Sequence, residues 1–597
     1  MKIKNILTTG LMLLTMCVGF TACGYIEEDT TSQVTDDKLT DSEESLNYWV
    51  TGVYSKWVYD MFCWGYFPQV LELDADYITG PSWFFGALGS GNFQGETDAV
   101  DALWKGCYGL IERSNLAMRK IRVMQNVRDE VKNNAIGELK FHKAIAYFLL
   151  VRAYGPIPLV GEEENVTFDY NNNPRVPVVQ VYDEIFRLLK DAAANMYTID
   201  DKSFMAGHVS AGSAVGLLVK AYATAASAAM PVGTRITVLN GHPYRTSESG
   251  ATTYEPLHTI PLEKTVVKGY ENMNAAALYG EAVAWGKRLI EDGEFGKYEL
   301  EPTFRELWSY DRRTAPEFMF CVYVPSGDAK FKSSVHTQYE GYFKAVGSPF
   351  IQGGGYLGCT RHWYALFDSK DSRIVDGVKH SWRNYYQEET NSGNVYPEGY
   401  DAKDPSGHYI HPELDPDVDW GHSYDEYHIA YTTKYADVLN NAIENADSPW
   451  PFLRLADVYL MYAEALNETG NLDGARLWLD KVFDRAHPDG VGTFDPLRGN
   501  SSTTYSRDLS TRDAMRTAII EERAKELACE ADRRWDLIRW GIYVDAMNKG
   551  FNLAEGYGTD DGGISKSRQA GKHELYPIPE QEININQAIT GNNPGWR

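Results

Sequence analysis

The stretch FLRLADVYLMYAEALNETGNLDGARLWLDKVFDRA, residues 452–486, constrains the fold of this chain more than any other. Apolar side chains recur in it every three or four residues, which places them on one face of a helix. The first such face carries Leu455, Val458, Tyr459, Tyr462, Ala463 and Leu466, and the second carries Ala475, Leu479, Val482, Phe483 and Ala486. Gly470 lies between them, where a helix C-terminus is expected. The stretch therefore predicts two antiparallel helices joined by a tight turn.

Helical patterns also occur around residues 110–155 and 210–290. In ELKFHKAIAYFLLVRAYGPIPLV the apolar face consists of Phe141, Ala144, Ile145, Phe148 and Leu149. Gly155 and Pro156 then end this helix. A helical hairpin with a glycine break and alanine at the crossing resembles a tetratricopeptide unit, although a generic helical hairpin has the same pattern. The sequence thus predicts a mainly α fold.

Residues 325–450 differ from the rest, because they are rich in aromatic residues, Gly and Pro and show only brief periodic runs. A long irregular segment inside a compact protein is more often functional than idle. No Pro/Ser/Gly-rich linker follows the acidic stretch at residues 27–44. We therefore expect a solvated tether followed by one large folded unit.

The N-terminus has the pattern of an export signal. Lys2 and Lys4 precede an apolar run at residues 6–20, and small residues then lead to Cys23. The sequence FTAC followed by Gly24 resembles a bacterial lipobox, which predicts a signal peptide at residues 1–22 and lipidation of Cys23. The alternative is an ordinary secretory cleavage site with Cys23 as a spare thiol. With lipid on Cys23, the chain would be held at a membrane by its acyl chains.

Charge and cysteine content exclude several classes of protein. The formal net charge is −26 at pH 7, so nucleic acid, which requires a concentrated basic surface, is not an expected partner. Apart from Cys17 and Cys23, the cysteines are scattered and form no CxxC pair; they are Cys63, Cys107, Cys321, Cys359 and Cys529. This spacing indicates neither a zinc ribbon nor a disulfide scaffold.

Several segments in order resemble the SusD/RagB family of cell-surface nutrient-binding lipoproteins. They are SLNYWVTGVYSKW, LWKGCYGLIERSNLAMRKI, KFHKAIAYFLLVRAYGPIPLV, EFMFCVYV, FLRLADVYLMYAEALNETG, ERAKELACEADRRWDLIRWG and LYPIPEQEININQAITGNNPGW. The resemblance covers nearly all of the chain after Cys23. It implies an α-helical fold built on four tetratricopeptide-like pairs, with a long irregular ligand-binding region that contains few short strands.

The resemblance also implies a place in the cell and a partner. It divides the chain into a signal peptide (1–22), an acidic tether (23–45), a helical N-terminal part (46–300) and a C-terminal part (301–597) with irregular loops at 325–450. Family members bind oligosaccharide and pair with a SusC-like TonB-dependent transporter at the outer face of the outer membrane. The acids at residues 27–29 resemble the export signal of such lipoproteins, and a solvated tether is the alternative.

Two aromatic stretches are the candidate ligand-binding residues, because aromatic rings stack on the apolar faces of sugars. The first, ELDADYITGPSWFFGALGSGNFQ, contributes Asp76, Tyr77, Trp83, Phe84 and Phe85. The second, VHTQYEGYFKAVGSPFIQGGGYLG, contributes Tyr339, Tyr342 and Tyr356. Packing of these rings onto the helices is the alternative for every position. Trp83 is the leading candidate, because the family places a sugar-stacking aromatic in this loop.

Two further segments contain acidic residues in patterns that occur in calcium loops and in catalytic sites. Asp415, Asp417 and Asp419 alternate in HPELDPDVDWGHSYDEYH and precede Glu426, as in a calcium loop, but Gly421 falls one place late. We therefore expect no cofactor, with structural calcium as the alternative. In the charged helix, the residues Glu522, Arg523, Glu526, Arg534, Asp536 and Arg539 alternate in sign, which favours ion pairs between helices over acid–base catalysis.

The sequence thus favours a glycan-capturing lipoprotein without enzymatic activity. Two alternatives stay open at this point: a peptide-binding import lipoprotein of the same family, and a helical glycoside hydrolase. The sequence does not reveal which glycan or linkage is bound.

Overall fold

The computed structural model describes residues 41–58, 66–80, 82–93, 97–162, 169–240, 245–246, 252–253, 258–324, 335–339, 357–383, 385–397, 399–420, 429–439, 447–493, 506–550 and 567–596. Cys23, the predicted signal peptide and most of the predicted tether lie outside these residues.

Helices dominate the described part of the chain. In chain order they are α1 (Glu43–Lys56), α2 (Tyr66–Glu72), α3 (Ser82–Ser90), α4 (Asp98–Arg122), α5 (Asp129–Tyr154), α6 (Val178–Asn195), α7 (Ala211–Ala229), α8 (Ala275–Gly286), α9 (Phe304–Leu307), α10 (Val335–Tyr339), α11 (Arg361–Tyr364), α12 (Ser372–Val375), α13 (Tyr385–Thr390), α14 (Leu455–Glu468), α15 (Leu472–Ala486), α16 (Arg512–Glu526), α17 (Arg533–Arg539), α18 (Tyr543–Gly550) and α19 (Glu580–Ile585). A π-helical turn, Lys287–Glu291, continues α8, and 3₁₀ turns occupy Tyr170–Asn172 and Tyr310–Arg312.

The strands are short and form small separate ladders. They are β1 (Ile78–Thr79), β2 (Ile157–Pro158), β3 (Arg175–Val176), β4 (Arg235–Asn240), β5 (Arg245–Thr246), β6 (Thr252–Thr253), β7 (His258–Glu263), β8 (Phe318–Val322), β9 (Gly358–Cys359), β10 (Ser381–Trp382), β11 (Ser392–Val395), β12 (Asp419–Trp420) and β13 (Trp450–Arg454). The ladders pair β1 with β9, β2 with β3, β4 with β7, β5 with β6 and β8 with β13, while β10, β11 and β12 form one three-stranded sheet.

Consecutive helices pack as pairs, which confirms the predicted mainly α fold. Helix α4 packs on α5, α6 on α7, and α14 on α15, while α8 lies against both α7 and α14. Every apolar position predicted for the helical faces of α5, α14 and α15 is buried. Burial of these faces is the main favourable contribution to stability in a structure of this kind.

The two predicted helix ends are also present. Gly155 follows α5 with φ +71°, and Gly470 follows the last turn of α14 with φ +93°. Both values lie in the left-handed region, which glycine adopts without the steric cost of a Cβ atom. Each glycine therefore turns the chain out of its helix at the position that the sequence indicates.

Helix α7 packs closely against its neighbours because glycine, which has no side chain, occupies two of the contact positions. A Cβ atom on Gly212 would lie 2.2 Å from the hydroxyl of Tyr298, and one on Gly216 would lie 3.0 Å from Cε of Met319. The capping box of Ser210 and Ser213 begins this helix. The small residues at these two positions thus permit close packing of α7 against its neighbours.

A β hairpin between α7 and α8 was not predicted. Strand β4 pairs antiparallel with β7 in a register that sets Ile236 opposite Leu262. Ile236, Val238 and Leu262 are buried, in the alternation that one covered face of a hairpin requires. The β-branched residues in RITVLN and HTIPLE were the signal for these strands.

Strands β8 and β13 pair antiparallel, with Phe320 opposite Leu453, and so bring together the two ends of the irregular segment. Within the described residues between them, no helix exceeds the six residues of α13 and no strand exceeds the four of β11. The long irregular region with few short strands is therefore present.

The N-terminal boundary of the folded body lies earlier than predicted. Ser42 caps α1, and Ser45 is buried. The carboxylate of Asp41 accepts hydrogen bonds from the backbone N–H groups of Gln125 and Asn126, at 2.8 and 3.0 Å. Residues 41–45 were assigned to the acidic tether and instead belong to the fold, because capping and backbone hydrogen bonds use their polar groups.

No helix within the described ranges is long and apolar enough to cross a membrane. Cys107, Cys321, Cys359 and Cys529 are buried free thiols. The Sγ atoms of Cys359 and Cys529 lie 3.6 Å apart.

Candidate functional site

The two aromatic stretches meet at a small β ladder. Strand β1 pairs antiparallel with β9, so that Ile78 lies opposite Cys359 and Thr79 lies opposite Gly358. The backbone N–H of Thr360 donates to the carbonyl of Tyr77 at 2.9 Å and extends the ladder. Because the pairing is antiparallel, the chain leaving Thr79 and the chain arriving at Gly358 are at the same end of the ladder.

Helix α3 begins three residues after Thr79 and carries Trp83, Phe84 and Phe85 in its first turn. Their side chains lie outside the described residues. Gly86 follows with φ +48° and ψ −148°, so the helix is interrupted directly after the three aromatic residues. The backbone thus presents them as a short separate turn beside the ladder.

The base of this aromatic turn is anchored by buried charges. Asp74 precedes β1, and the guanidinium of Arg568 lies 2.6 Å from its carboxylate. The same guanidinium donates to the carbonyl of Gly89, at the end of α3, at 2.7 Å. Arg568 therefore joins the two ends of the segment that carries the aromatic residues.

Asp74 has further partners that are distant from it in the sequence. Arg534 donates to it at 2.8 Å, and the hydroxyl groups of Tyr543 and Tyr576 also donate to it. Burial alone would raise the pKa of Asp74, but the positive charges of Arg568 and Arg534 lower it. The carboxylate is therefore ionised and held in place.

Asp76 and Tyr77, two of the predicted ligand residues, are buried in this anchor. Arg533 donates to both carboxylate oxygens of Asp76 at 2.7 Å, and its guanidinium lies 4.4 Å from the centroid of the Tyr77 ring. The Tyr77 hydroxyl donates to the carbonyl of Leu239, and burial raises the pKa of this hydroxyl. The prediction of ligand contact at Asp76 and Tyr77 is thus not supported, because their polar groups are already used inside the protein.

Tyr339 is also a core residue. It is fully buried, and its ring centroid lies 4.9 Å from that of Tyr435 and 5.8 Å from that of Trp450. The structure therefore contradicts a ligand-binding role for Tyr339. Tyr342 and Tyr356 lie outside the described residues.

The predicted charged helix is divided into α16 and α17, and its residues form the ion pairs that their alternating charges indicate. Glu526 binds the guanidinium groups of Arg454 at 3.0 Å and Arg485 at 2.5 Å. Burial opposes ionisation of Glu526, but Arg485 and Arg454 hold its pKa at about 2. Arg523 pairs with Asp536 in the same buried layer, at 2.8 Å. These carboxylates join helices and are not arranged around a cleft.

Two groups bear on metal binding. In the predicted calcium loop, Asp415 is exposed and accepts the backbone N–H of Asp417 at 3.0 Å, while Gly421 and Glu426 lie outside the described residues. Calcium binding there stays a prediction. Elsewhere in the described chain, Asp368, Asp371 and His487 have converging side chains.

The second group has the character of an ion pair. His487 faces the Phe483 carbonyl with Nδ1 at 2.8 Å and the Asp368 carboxylate with Nε2 at 2.7 Å. Both ring nitrogens face acceptors, so the imidazole is a donor on both sides, which leaves no lone pair for a metal. Burial lowers the pKa of His487, but the hydrogen bond to Asp368 and the charge of Asp371 give a net rise.

A stack of three rings in the irregular region was missed from the sequence. The centroid of the Tyr400 ring lies 3.5 Å from that of His411 and 4.6 Å from that of His380, and the Tyr400 ring is nearly parallel to both. Both faces of Tyr400 are covered, so this ring is not free to stack on a sugar. No periodic pattern in the sequence pairs these residues.

Comparison with known proteins identifies relatives of the whole chain. The model of the SusD family matches residues 353–596, and the model described as starch-binding associating with outer membrane matches residues 25–222. A SusD-like protein of Formosa agariphila is 23% identical over 99% of this chain and 100% of its own length. A second SusD-like protein of that organism is 33% identical over 27% of either chain. The starch-binding protein SusD of Bacteroides thetaiotaomicron is 28% identical over 24% of this chain and 21% of its own length.

Solved structures share the fold. A SusD homologue from Bacteroides thetaiotaomicron has a TM-score of 0.71 at 20% identity, covering 95% of this chain and 100% of that one. A laminarin-binding SusD-like protein has a TM-score of 0.58 at 19% identity, covering 93% and 99%.

Proposed function

Because this chain belongs to the SusD/RagB family, we propose that it captures glycans at the cell surface and makes or breaks no covalent bond. The observation that carries the proposal is the β1–β9 ladder, which joins the two aromatic stretches. Relatives that bind starch and laminarin supply the chemical class of the ligand.

The ladder limits how far apart Trp83 and Tyr356 lie. Trp83 is four residues after Thr79, and Tyr356 is two residues before Gly358. An extended chain spans at most about 3.6 Å per residue, so both residues start from the same end of the ladder within a short reach. We propose that Trp83, Phe84, Phe85, Tyr342 and Tyr356 form the stacking surface.

The buried anchor makes this surface suited to binding. Asp74 and Asp76 hold the chain before β1, and Arg568 holds the end of α3. A ligand that meets side chains on a fixed base loses less free energy to ordering of the protein. Recognition by stacked rings on a rigid support agrees with capture of oligosaccharide.

Delivery to a SusC-like TonB-dependent transporter is the finer part of the proposal. It is supported by the family and by the lipobox sequence at Cys23. Lipid on Cys23 would hold the protein at the outer membrane, facing the cell exterior, beside such a partner. Tethering two proteins in one membrane raises their effective concentration without any new contact.

Absence of enzymatic activity is supported by the way in which the buried carboxylates of α16 pair with arginines. Glu522 pairs with Arg373, and Glu526 pairs with Arg454 and Arg485, all buried. A glycoside hydrolase needs two carboxyl groups that face the substrate about 5–10 Å apart. The buried carboxylates of this helix are hydrogen-bonded to arginines instead.

Affinity electrophoresis tests the proposal. The full chain is run in native gels that contain starch, laminarin or other polysaccharides, and we expect retardation in at least one. In parallel, each glycan is incubated with the protein and assayed for reducing ends, and we expect no release. Migration unretarded in every gel, together with binding of peptides in solution, would favour the peptide-binding alternative. Release of reducing sugar would favour the hydrolase.

A further inference from the structure

A cavity of about 310 Å³ lies away from the aromatic turn. It is enclosed by the ends of α5 and α7, residues 265–270, helices α17 and α18, and the C-terminal residues 570–575 with Pro594. No residue of β1, β9 or α3 lines it. Its volume is at the lower end of the range of small-molecule sites, which is about 300–1,000 Å³.

The walls of this cavity are mainly hydrophobic. Trp535 and Tyr270 contribute aromatic surface, and Ile538, Val544 and Leu575 contribute aliphatic surface. An apolar wall of this kind buries the body of a ligand but fixes no orientation by itself. Orientation needs a polar group at a defined place.

Arg152 supplies this polar group. Its side chain lines the cavity and is 9% exposed. The guanidinium lies between two rings, 3.8 Å from the centroid of Phe148 and 4.9 Å from that of Trp535. Its Nε donates to the carbonyl of Phe148 at 3.0 Å.

Arg152 differs in its ion pairing from two other buried arginines, Arg534 and Arg539. Arg534 pairs with Asp74, and Arg539 pairs with Glu464. Among the residues that the structure describes, no carboxylate lies within ion-pair distance of Arg152, and the Phe148 carbonyl is its one hydrogen-bond acceptor. Burial lowers the pKa of Arg152, although the negative charge of Asp532 opposes this. A buried cation without a paired anion is costly, so the site is complete only when an anion enters.

Charged residues around the cavity include both signs. Lys268 and Lys572 are cationic, and Lys572 lies 4.3 Å from the centroid of the Trp596 ring. The two acids of the lining are Asp545 and Glu574, and Glu574 accepts the backbone N–H of Gly571 through Oε1 at 2.9 Å. Arg152, Lys268 and Lys572 outnumber these two acids, so the lining carries a surplus of positive charge.

We propose that this cavity is a second ligand site, which binds a small monocarboxylate with an apolar body. The carboxylate accepts hydrogen bonds from the two terminal nitrogens of Arg152, a geometry that guanidinium and carboxylate match in pairs. The apolar body lies against Trp535, Ile538 and Leu575. This site shares no lining residue with β1, β9 or α3.

Isothermal titration calorimetry of the full chain with 3-phenylpropionate tests the site, and 3-phenylpropionamide is the uncharged control. We expect the acid to bind at least about tenfold more tightly than the amide, a difference of about 1.4 kcal/mol. Arg152→Met keeps the aliphatic stem between Phe148 and Trp535 and removes the charge. We expect it to abolish the preference for the acid.

Two further variants keep the test decisive. Lys268→Met removes an exposed charge of the lining and is expected to change the affinity for the acid less than threefold. Val266→Trp narrows the cavity at an exposed position while Arg152 is unchanged, and is expected to weaken binding of the acid. Equal affinities of the wild type for acid and amide, no binding of either at 10 mM, or retained preference in Arg152→Met would overturn the proposal. Gel retardation by glycans is measured on the same variants and is expected to be unchanged, so the two sites fail or hold separately.

Discussion

Arg568 and Asp74 form a buried ion pair at 2.6 Å that holds the base of the aromatic turn. Arg568 also donates to the carbonyl groups of Leu88 and Gly89 at 3.3 and 2.7 Å. One guanidinium thus fixes both the start and the end of the segment on which Trp83 lies. If Trp83 binds glycan as proposed, stability and ligand recognition are coupled at Arg568.

Arg568→Met is expected to loosen the end of α3. Removing one partner of a buried pair costs roughly 3 kcal/mol, and Asp74 keeps Arg534 as a partner, so the protein still folds. Hydrogen exchange measured by mass spectrometry should show faster exchange at residues 86–92. Arg288→Met, which breaks an exposed pair with Glu294, is the matched control and should leave this exchange unchanged. Equal protection in both variants would contradict the anchoring role.

Trp83→Ala is expected to weaken retention by a binding glycan roughly two- to tenfold, since an aromatic contact contributes about 0.5–1.5 kcal/mol. The melting temperature should change little. Affinity electrophoresis and thermal unfolding of the same preparation measure both quantities. Tyr48→Ala, on an exposed position of α1, is the control and should alter neither. A large loss of stability in Trp83→Ala would show that this ring is part of the core.

His487→Gln is expected to destabilise the protein more at pH 5.5 than at pH 9. The folded state raises the pKa of His487 through Asp368 and Asp371, so its contribution is complete below the unfolded pKa and is lost as pH rises through the folded one. The cost at pH 5.5 should be roughly 1.5–3 kcal/mol, the range for a hydrogen bond to a charged group. Urea unfolding at both pH values measures it.

His408→Gln is the control for this measurement, because the His408 side chain is 83% exposed. It should change the free energy of unfolding little at either pH. A cost of His487→Gln that does not vary with pH would show that the ring acts by packing alone.

Glu72→Gln is expected to stabilise the protein increasingly as pH rises from about 5 to 8. Burial raises the pKa of Glu72 to about 8, although the Ala531 N–H and the charge of Lys434 oppose the rise. The unfolded chain releases this proton near its ordinary pKa, so wild-type stability falls with pH until the folded carboxyl also ionises. Glutamine keeps an acceptor for the Ala531 N–H, which lies 2.7 Å from Oε1, and has no charge to bury.

The gain from Glu72→Gln should be on the order of a few kcal/mol at pH 9 and small at pH 5, measured by urea unfolding. Glu44→Gln on the surface of α1 gives the reference. A loss of stability at pH 9 would mean that Glu72 is a charged partner in the folded state.

The sequence predicts the helices well because their determinants are local. A repeat of three or four residues fixes which face of α5 or α14 is buried, and Gly155 and Gly470 permit the backbone turn that ends each helix. The hairpin of β4 and β7 was missed although its alternating residues are also local, since helical patterns on either side were extended through it.

The candidate site was less predictable. Asp76 is as polar as any exposed residue, and it is buried only because Arg533 arrives from the other end of the chain. Tyr339 lies in a Gly-rich stretch, and it is covered because Tyr435 and Trp450 pack against it. In both cases the partner is distant in sequence, and a single sequence contains no pairing signal for it.

The burial of Arg152 was also not predictable from the sequence. Its position on α5 follows from the sequence, but a lysine or arginine in a helix is ordinarily solvated or paired. The fold encloses it between Phe148 and Trp535, and no carboxylate of the described residues lies within ion-pair distance of it. By itself the sequence determined the helices and their ends, because short-range periodicity and backbone sterics encode them, while the family was identified from the resemblance of its motifs. Only the tertiary structure decided that Asp76, Tyr77 and Tyr339 are buried, because burial and pairing are set by residues that are distant in the sequence.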